Sequence, residues 1–327
     1  NENARGPLPE SASDVLAIGD LIRLRQIGGV WHLRQLPQAQ AALVSLDPRD
    51  GAVRSLVGGF DFRQSNFNRV LQAARQPGSS FKPFVYTAAL ENGFTPATIV
   101  NDSPIVIEDA SLEGAWRPEN DGGTFLGPTR LREALYRSRN LVSIRVLRSI
   151  GLPALLDTLE KFGFDREALP RNLSLALGSH ALTPMDMARG YAIFANGGFR
   201  IAPYLVERID DDHGEALHVA RPATVCEDCE REQEEEEEPV SLIADIYASE
   251  PERAAETGPD ERLAPEQPAQ LALLDEDEAT LEPLPIAPRV LGERTAFIID
   301  SMLRDVVARG TGRRARVLDR ADLAGKT

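Results

Sequence analysis

Apolar residues recur at helical spacing in six stretches of this chain, and those stretches carry most of the predicted core. Over 79–92, Lys82, Val85, Tyr86, Ala89 and Leu90 follow a helical repeat, with Pro83 admitted because it falls in the first turns. Two more helices, 130–136 and 141–150, lie on either side of the polar run Arg137-Ser138-Arg139-Asn140. Another spans 153–162 and ends near Gly163. The segment 184–196 has a full set of boundary signals: Thr183 as cap, Pro184 at the first position, and Gly197-Gly198 after the last turn. Ala296, Phe297, Ile299, Met302, Leu303 and Val306 mark an amphipathic helix over 293–307. A shorter helix or polar approach is expected at 68–75, before the break at Gln76-Pro77-Gly78.

Strand patterns are fewer. Residues 20–24 and 29–33 read as two short strands about a glycine turn, and 41–46 with 52–58 as a hairpin across Asp47-Pro48-Arg49-Asp50-Gly51. Strands at 201–209 and near His218 flank a turn at 211–214, and 315–318 with 323–327 suggest a late strand pair. An early hairpin, many helices and late strands predict an α+β fold, with helices segregated beside an antiparallel sheet.

Charge changes this picture in one place. The net charge is −15, but Glu227 to Thr280 holds twenty acidic residues against three arginines, so the remainder is near neutral. That segment, taken as 227–288, is rich in proline and poor in aromatics and is expected to be disordered, with local packing at 242–247 and 271–274. No basic cluster suggests a nucleic-acid partner. Cys226 and Cys229 stand at its mouth: an inert or locally bridged pair, half of a metal site, or a redox pair. No apolar run reaches the roughly eighteen residues of a membrane span, and the first residues make no signal peptide. The absence of an initiator methionine leaves room for an anchor upstream.

Lysine is rare here. Of 36 basic residues only Lys82, Lys161 and Lys326 are lysines, and two of them sit in short chemical motifs. Arginine stays protonated, whereas a buried lysine can act as a base. In Ser79-x-x-Lys82, helical spacing puts hydroxyl and amine on one face, and free N–H groups at the helix start suit an oxyanion. Taken alone, a capping serine and an exposed lysine explain it better. Ser138-x-Asn140 lies in a break between helices, where a hydroxyl could relay a proton and an amide hold Lys82; helix capping is the plainer reading. Lys326-Thr327 follows Gly325 and could bind a carboxylate. A phosphate loop is excluded there, because Arg320 stands where that motif needs glycine. None of His32, His180, His213 and His218 falls in a nucleophile motif.

Taken together and in this order, the three motifs resemble the serine penicillin-recognising enzymes. Longer stretches resemble the transpeptidase domain of class A penicillin-binding proteins, the bifunctional peptidoglycan synthases. They are the run from Arg75 to Pro83, Trp116-Arg117-Pro118-Glu119-Asn120, Ala134-Leu135 before Ser138-Arg139-Asn140, Leu182-Thr183-Pro184, Phe194-Ala195-Asn196-Gly197-Gly198, and Arg309-Gly310-Thr311-Gly312 before Gly325-Lys326-Thr327. The likeness covers roughly 38–327, and 1–37 resemble the exit of the small β (OB-like) domain of Gram-negative 1A-like members.

The resemblance implies a penicillin-binding, serine β-lactamase-like fold. It implies that Ser79 attacks the bond between the terminal D-alanines of a stem peptide and Lys82 takes its proton. Ser138 would relay protons, Asn140 would position Lys82 and the substrate, and Lys326 and Thr327 would hold the terminal carboxylate or that of a β-lactam. No cofactor and no metal are implied. The implied partners are peptidoglycan stem peptides, β-lactams, a lipoprotein activator and the remaining C-terminal part of the same enzyme. The implied location is the periplasmic side of the bacterial inner membrane, with the anchor outside this chain. A carboxypeptidase or β-lactamase would use the same motifs with water as acceptor, and a β-lactam sensor or scaffold would lack turnover. The family pattern continues Lys-Thr-Gly-Thr, and a second oxyanion N–H would follow; losing such a donor costs about 3 kcal/mol of barrier. Residues 1–327 alone are therefore expected to be inactive.

Overall fold

After the single turn α1 (Arg69–Gln72), the central helix is α2 (Lys82–Glu91), in which every residue from Lys82 to Ala89 is buried. A helix apolar on all sides needs neighbours on all sides. They are supplied by α3 (Leu131–Tyr136), α4 (Asn140–Ile150), α5 (Leu152–Lys161), α6 (Pro184–Ala195) and α7 (Glu293–Ala308). Phe84 is the hub, with the rings of Phe81, Phe162, Phe164, Tyr191 and Phe194 at 5.2–5.8 Å. The computed structural model describes residues 9–35, 37, 39–108, 115–226, 228–229 and 284–327.

Among the described residues the strands pair two by two, all antiparallel. Strands β1 (Arg23–Ile27) and β2 (Val30–Arg34) form a hairpin exposed along its whole length. The hairpin of β3 (Leu43–Leu46) and β4 (Val53–Val57) is extended by a bridge from Ala52 to Tyr204. Residues 99–102 and 127–130 also form a ladder (Ile99–Asp102 with Gly127–Arg130), unforeseen because each is four residues long and the second opens Gly-Pro. The α+β class stands, with helices gathered beside antiparallel pairs.

Helix boundaries match the periodicity closely. The cap at Thr183 is realised as a box, its hydroxyl accepting from the Asp186 N–H and the Asp186 carboxylate accepting from the Thr183 N–H. The late strand pair is not found. Arg313–Leu318 is a 3-10 helix, and 323–327 runs irregularly, the Gly325 N–H donating to the Leu303 carbonyl of α7. A strand needs a partner edge, and none lies beside it among the described residues. Of 201–209 only the last two residues are in a strand, Arg208–Asp210, while Ile201 is drawn into a small second core with Ala192, Phe199 and Ala287.

Ala287 also corrects the acidic segment's boundary. Ala287 is buried in that second core while its neighbours in 284–288 are exposed, and the stretch is tied down by backbone, the Thr224 N–H donating to Pro285 and the Ala287 N–H to Thr224, both at 2.8 Å. Cys226 and Cys229 are joined by a disulfide. Apart from 228–229 and 284–288, the segment read as disordered lies outside the described residues, as do its expected packing sites at 242–247 and 271–274.

Candidate active site

Ser79 sits in a 3-10 turn, Gly78–Phe81, that runs directly into α2. In such a turn residues three apart eclipse, and the Lys82 N–H donates to the Ser79 carbonyl, so hydroxyl and amine project to one side. The turn is anchored from three directions. Phe81 is buried, Tyr191 Oη donates to the Ser80 carbonyl at 2.7 Å, and the Gly78 N–H donates to Gly178 at 3.2 Å. Gly178 has φ +67°, and a Cβ there would stand 2.3 Å from the Gly78 oxygen, so only glycine fits. Ser79 itself is half-buried, and among the described residues neither its hydroxyl nor its N–H makes a hydrogen bond.

Ser138 occupies the turn after α3. The Ser138 N–H donates to Leu135 and the Arg139 N–H to Ala134, a Schellman closure whose αL residue is usually glycine. Here serine takes that conformation at φ +57°, at a cost of about 1–2 kcal/mol. A hydroxyl is thus held where the backbone would prefer none.

Lys82 Nζ meets this turn. It lies 2.6 Å from Asn140 Oδ1, 2.8 Å from the Ser138 carbonyl and 3.2 Å from Ser138 Oγ. The first two groups can only accept, which accounts for both N–H bonds of a neutral amine and leaves its lone pair for a hydroxyl. Burial, then the charges of Lys326 and Arg139, lower the amine from its ordinary range to about 7. The Asn140 amide is oriented by its Nδ2, which donates to the Glu119 carbonyl at 2.9 Å.

Lys326 reaches the same hydroxyl, its Nζ donating to Ser138 Oγ at 2.9 Å. Burial lowers it to about 8. Thr327 Oγ1 donates to Thr311 Oγ1 at 2.6 Å, and the Thr311 N–H donates to Tyr136, next to the Ser138 turn. Four of the six residues singled out in the sequence (Lys82, Ser138, Asn140 and Lys326) are joined in one hydrogen-bonded cluster. Thr327 is tied to its edge through Thr311, and Ser79 stands alongside Lys82 without a bond to it.

Sequence reasoning assigned no role to Asp102, Asn120, Arg139 or Thr311. Asn120 Oδ1 accepts from the N–H groups of Asn140 and Leu141 and so caps α4 from a distant loop. Its signal in the sequence was the Trp-Arg-Pro-Glu-Asn run; Asp102 had none. Two clefts lie apart from the cluster: one of about 600 Å3 is lined by Gln76, Pro77 and Ser80, another of about 460 Å3 by Glu133 and Tyr136.

Residues 41–327 match the family of penicillin-binding protein transpeptidase domains, and residues 1–39 the family of penicillin-binding protein OB-like domains. The chain is 50% identical to penicillin-binding protein 1A of Pseudomonas aeruginosa, covering all of this chain and 38% of that protein. It is 39% identical to penicillin-binding protein 1A of Escherichia coli, again over all of this chain and 39% of the relative. The crystal structure of penicillin-binding protein 1A from Haemophilus influenzae superposes with a TM-score of 0.75 at 36% identity, over 94% of this chain and 42% of that one. The chain thus spans well under half the length of these relatives.

Proposed function

The chain belongs to the penicillin-binding protein transpeptidase domain family, and from that premise we propose that it carries the serine site of a peptidoglycan D,D-transpeptidase that β-lactams acylate. The observation carrying this reading is the buried Lys82 amine, bonded to two obligate acceptors and lowered to about 7. An amine in that state removes a proton near neutral pH, which arginine cannot do.

In the proposed reaction Lys82 Nζ takes the Ser79 proton as Oγ attacks the carbonyl of the penultimate D-alanine. The free Ser79 N–H stabilises the oxyanion. Collapse breaks the peptide C–N bond, and Ser138 Oγ passes a proton from the Lys82 side to the departing D-alanine nitrogen. An amine of a second stem peptide then attacks the acyl-enzyme, restoring the Ser79 hydroxyl. Asn140 has one N–H left for the substrate once the other serves Glu119. Lys326, with Thr327, holds the terminal carboxylate. A β-lactam offers the same carbonyl and carboxylate, but its leaving group stays tethered.

The proposed location is the periplasmic face of the bacterial inner membrane; among the described residues no helix is long and apolar enough to cross a membrane. The rest of a longer enzyme and a lipoprotein activator are proposed partners, the first from the fraction of its relatives' length that the chain spans. The acidic segment is the proposed docking surface for that activator, and deleting 230–283 without loss of partner binding or crosslinking would remove it from that role.

The deciding measurement is intact mass spectrometry of the full-length protein after benzylpenicillin. A mass gain of one whole drug molecule is expected, and none in Ser79→Ala. An adduct that survives Ser79→Ala refutes the assignment.

A further inference from the structure

Behind the cluster lies a set of buried polar groups with no part in the chemistry above. Asp102 ends its strand with its side chain fully buried and both oxygens engaged. Oδ1 accepts from Asn120 Nδ2 at 2.7 Å; Oδ2 accepts from Arg139 Nε at 2.7 Å and from the Leu126 N–H at 3.0 Å. Arg139 Nη2 also donates to the Thr124 carbonyl, and Asn120 Nδ2 to the same carbonyl at 3.1 Å. The two residues that Asp102 holds are the two that build the site's polar turn. The Arg139 backbone closes the Schellman turn that keeps Ser138 at φ +57°. The amide oxygen of Asn120, Oδ1, accepts from the first two N–H groups of α4 and so fixes Asn140.

We infer that Asp102 is a positioning residue for the proposed base: through Arg139 and Asn120 it holds Ser138 and Asn140 against Lys82 and sets the electric field at that amine. This rests on the functional reading above. A buried ion pair is weak evidence of a stabilising device, since apolar replacement often serves stability as well, so its placement has to be explained by what it touches. The charged and titratable groups around Lys82 are Lys326 from the C-terminal segment, Arg139 from the α3–α4 turn, Tyr86 one turn along α2, and Asp102 behind Arg139. Burial keeps the Tyr86 phenol neutral. Arg139 therefore disfavours the protonated amine, and the Asp102 carboxylate offsets part of that push.

The two partners have opposite signs, which separates this role from simple support. The experiment is the pH profile of benzylpenicillin acylation in the full-length protein. Asp102→Asn leaves Arg139 uncompensated, so the rising limb is expected to move to lower pH. Arg139→Gln is expected to move it to higher pH. The double variant should return the limb close to its starting position with a maximal rate lower by about tenfold or more, because the turn is no longer held. Limbs that stay in place, or that move in the same direction in both single variants, overturn the proposal and leave a structural pair only. Should Asp102→Asn fail to fold, the limb of Arg139→Gln decides alone: upward movement supports the inference, none overturns it. Failure of the functional reading itself would show separately, as an adduct on Ser79→Ala.

Discussion

Lys82 and Lys326 both lie within hydrogen-bond reach of the hydroxyl of Ser138, yet the molecule holds them in opposite ways. Lys82 is fully buried at the start of the central helix, and its acceptors belong to a turn locked by backbone closure, a distant cap and an ion pair. Lys326 is half-buried on irregular backbone, tied down by one bond to α7 and one hydroxyl contact at Thr327. The contrast matches their proposed tasks. A base has to shed its proton near neutrality, which burial and nearby positive charge bring about. A carboxylate anchor has to stay charged, which partial exposure permits.

The widest split between the two should come from Lys82→Met. Acylation by benzylpenicillin is expected to fall by roughly 10²–10⁴-fold, the usual range for a lost general base. Stability should respond the other way. The folded-state value near 7 lies below the ordinary 10.5, so the buried amine costs stability most below about pH 7, and that cost fades as pH rises towards 10.5. The rise in thermal midpoint of Lys82→Met over the parent should therefore be larger at pH 6 than at pH 10; equal differences would contradict the buried-amine account.

Asn120→Ala attacks the rigid side from behind. It uncaps α4 and strips one partner from Asp102, and urea titration should show a loss of about 2–3 kcal/mol. Lys326→Ala attacks the looser side, where roughly 10–100-fold should be lost in kcat/KM, chiefly through KM, with little change in thermal midpoint. In the parent, acylation should rise through about pH 7 as Lys82 deprotonates and decline above about 8 as Lys326 does, and Lys326→Ala should erase only the upper limb. The smallest effect belongs to Ser138→Gly. Relief of the αL serine should raise stability by about 0.5–1 kcal/mol while acylation falls, and a loss of both would refute the strain argument.

Much of the helical frame was legible in the sequence. The boundaries at Thr183, Pro184 and Gly197 are written in local side-chain chemistry, and the capping box formed as those residues dictate. The three motifs were legible too, although the first two were better explained singly as caps and an exposed charge. The late strand pair was misread because alternation cannot specify a partner edge, and 323–327 instead lies against α7. The ladder of 99–102 with 127–130 was missed for the same reason, its partners lying 25 to 31 residues apart.

Local sequence determined where helices begin, which residue types could perform acyl transfer, and in what order they occur, because propensity, capping and spacing act within a few residues. Only the tertiary structure decided that Lys82 has lost contact with water, that a serine stands in a glycine's conformation, and that Asp102 lies behind the turn carrying Ser138 and Asn140. Burial and electric field are sums over groups distant in sequence, so no reading of neighbours along the chain contains them.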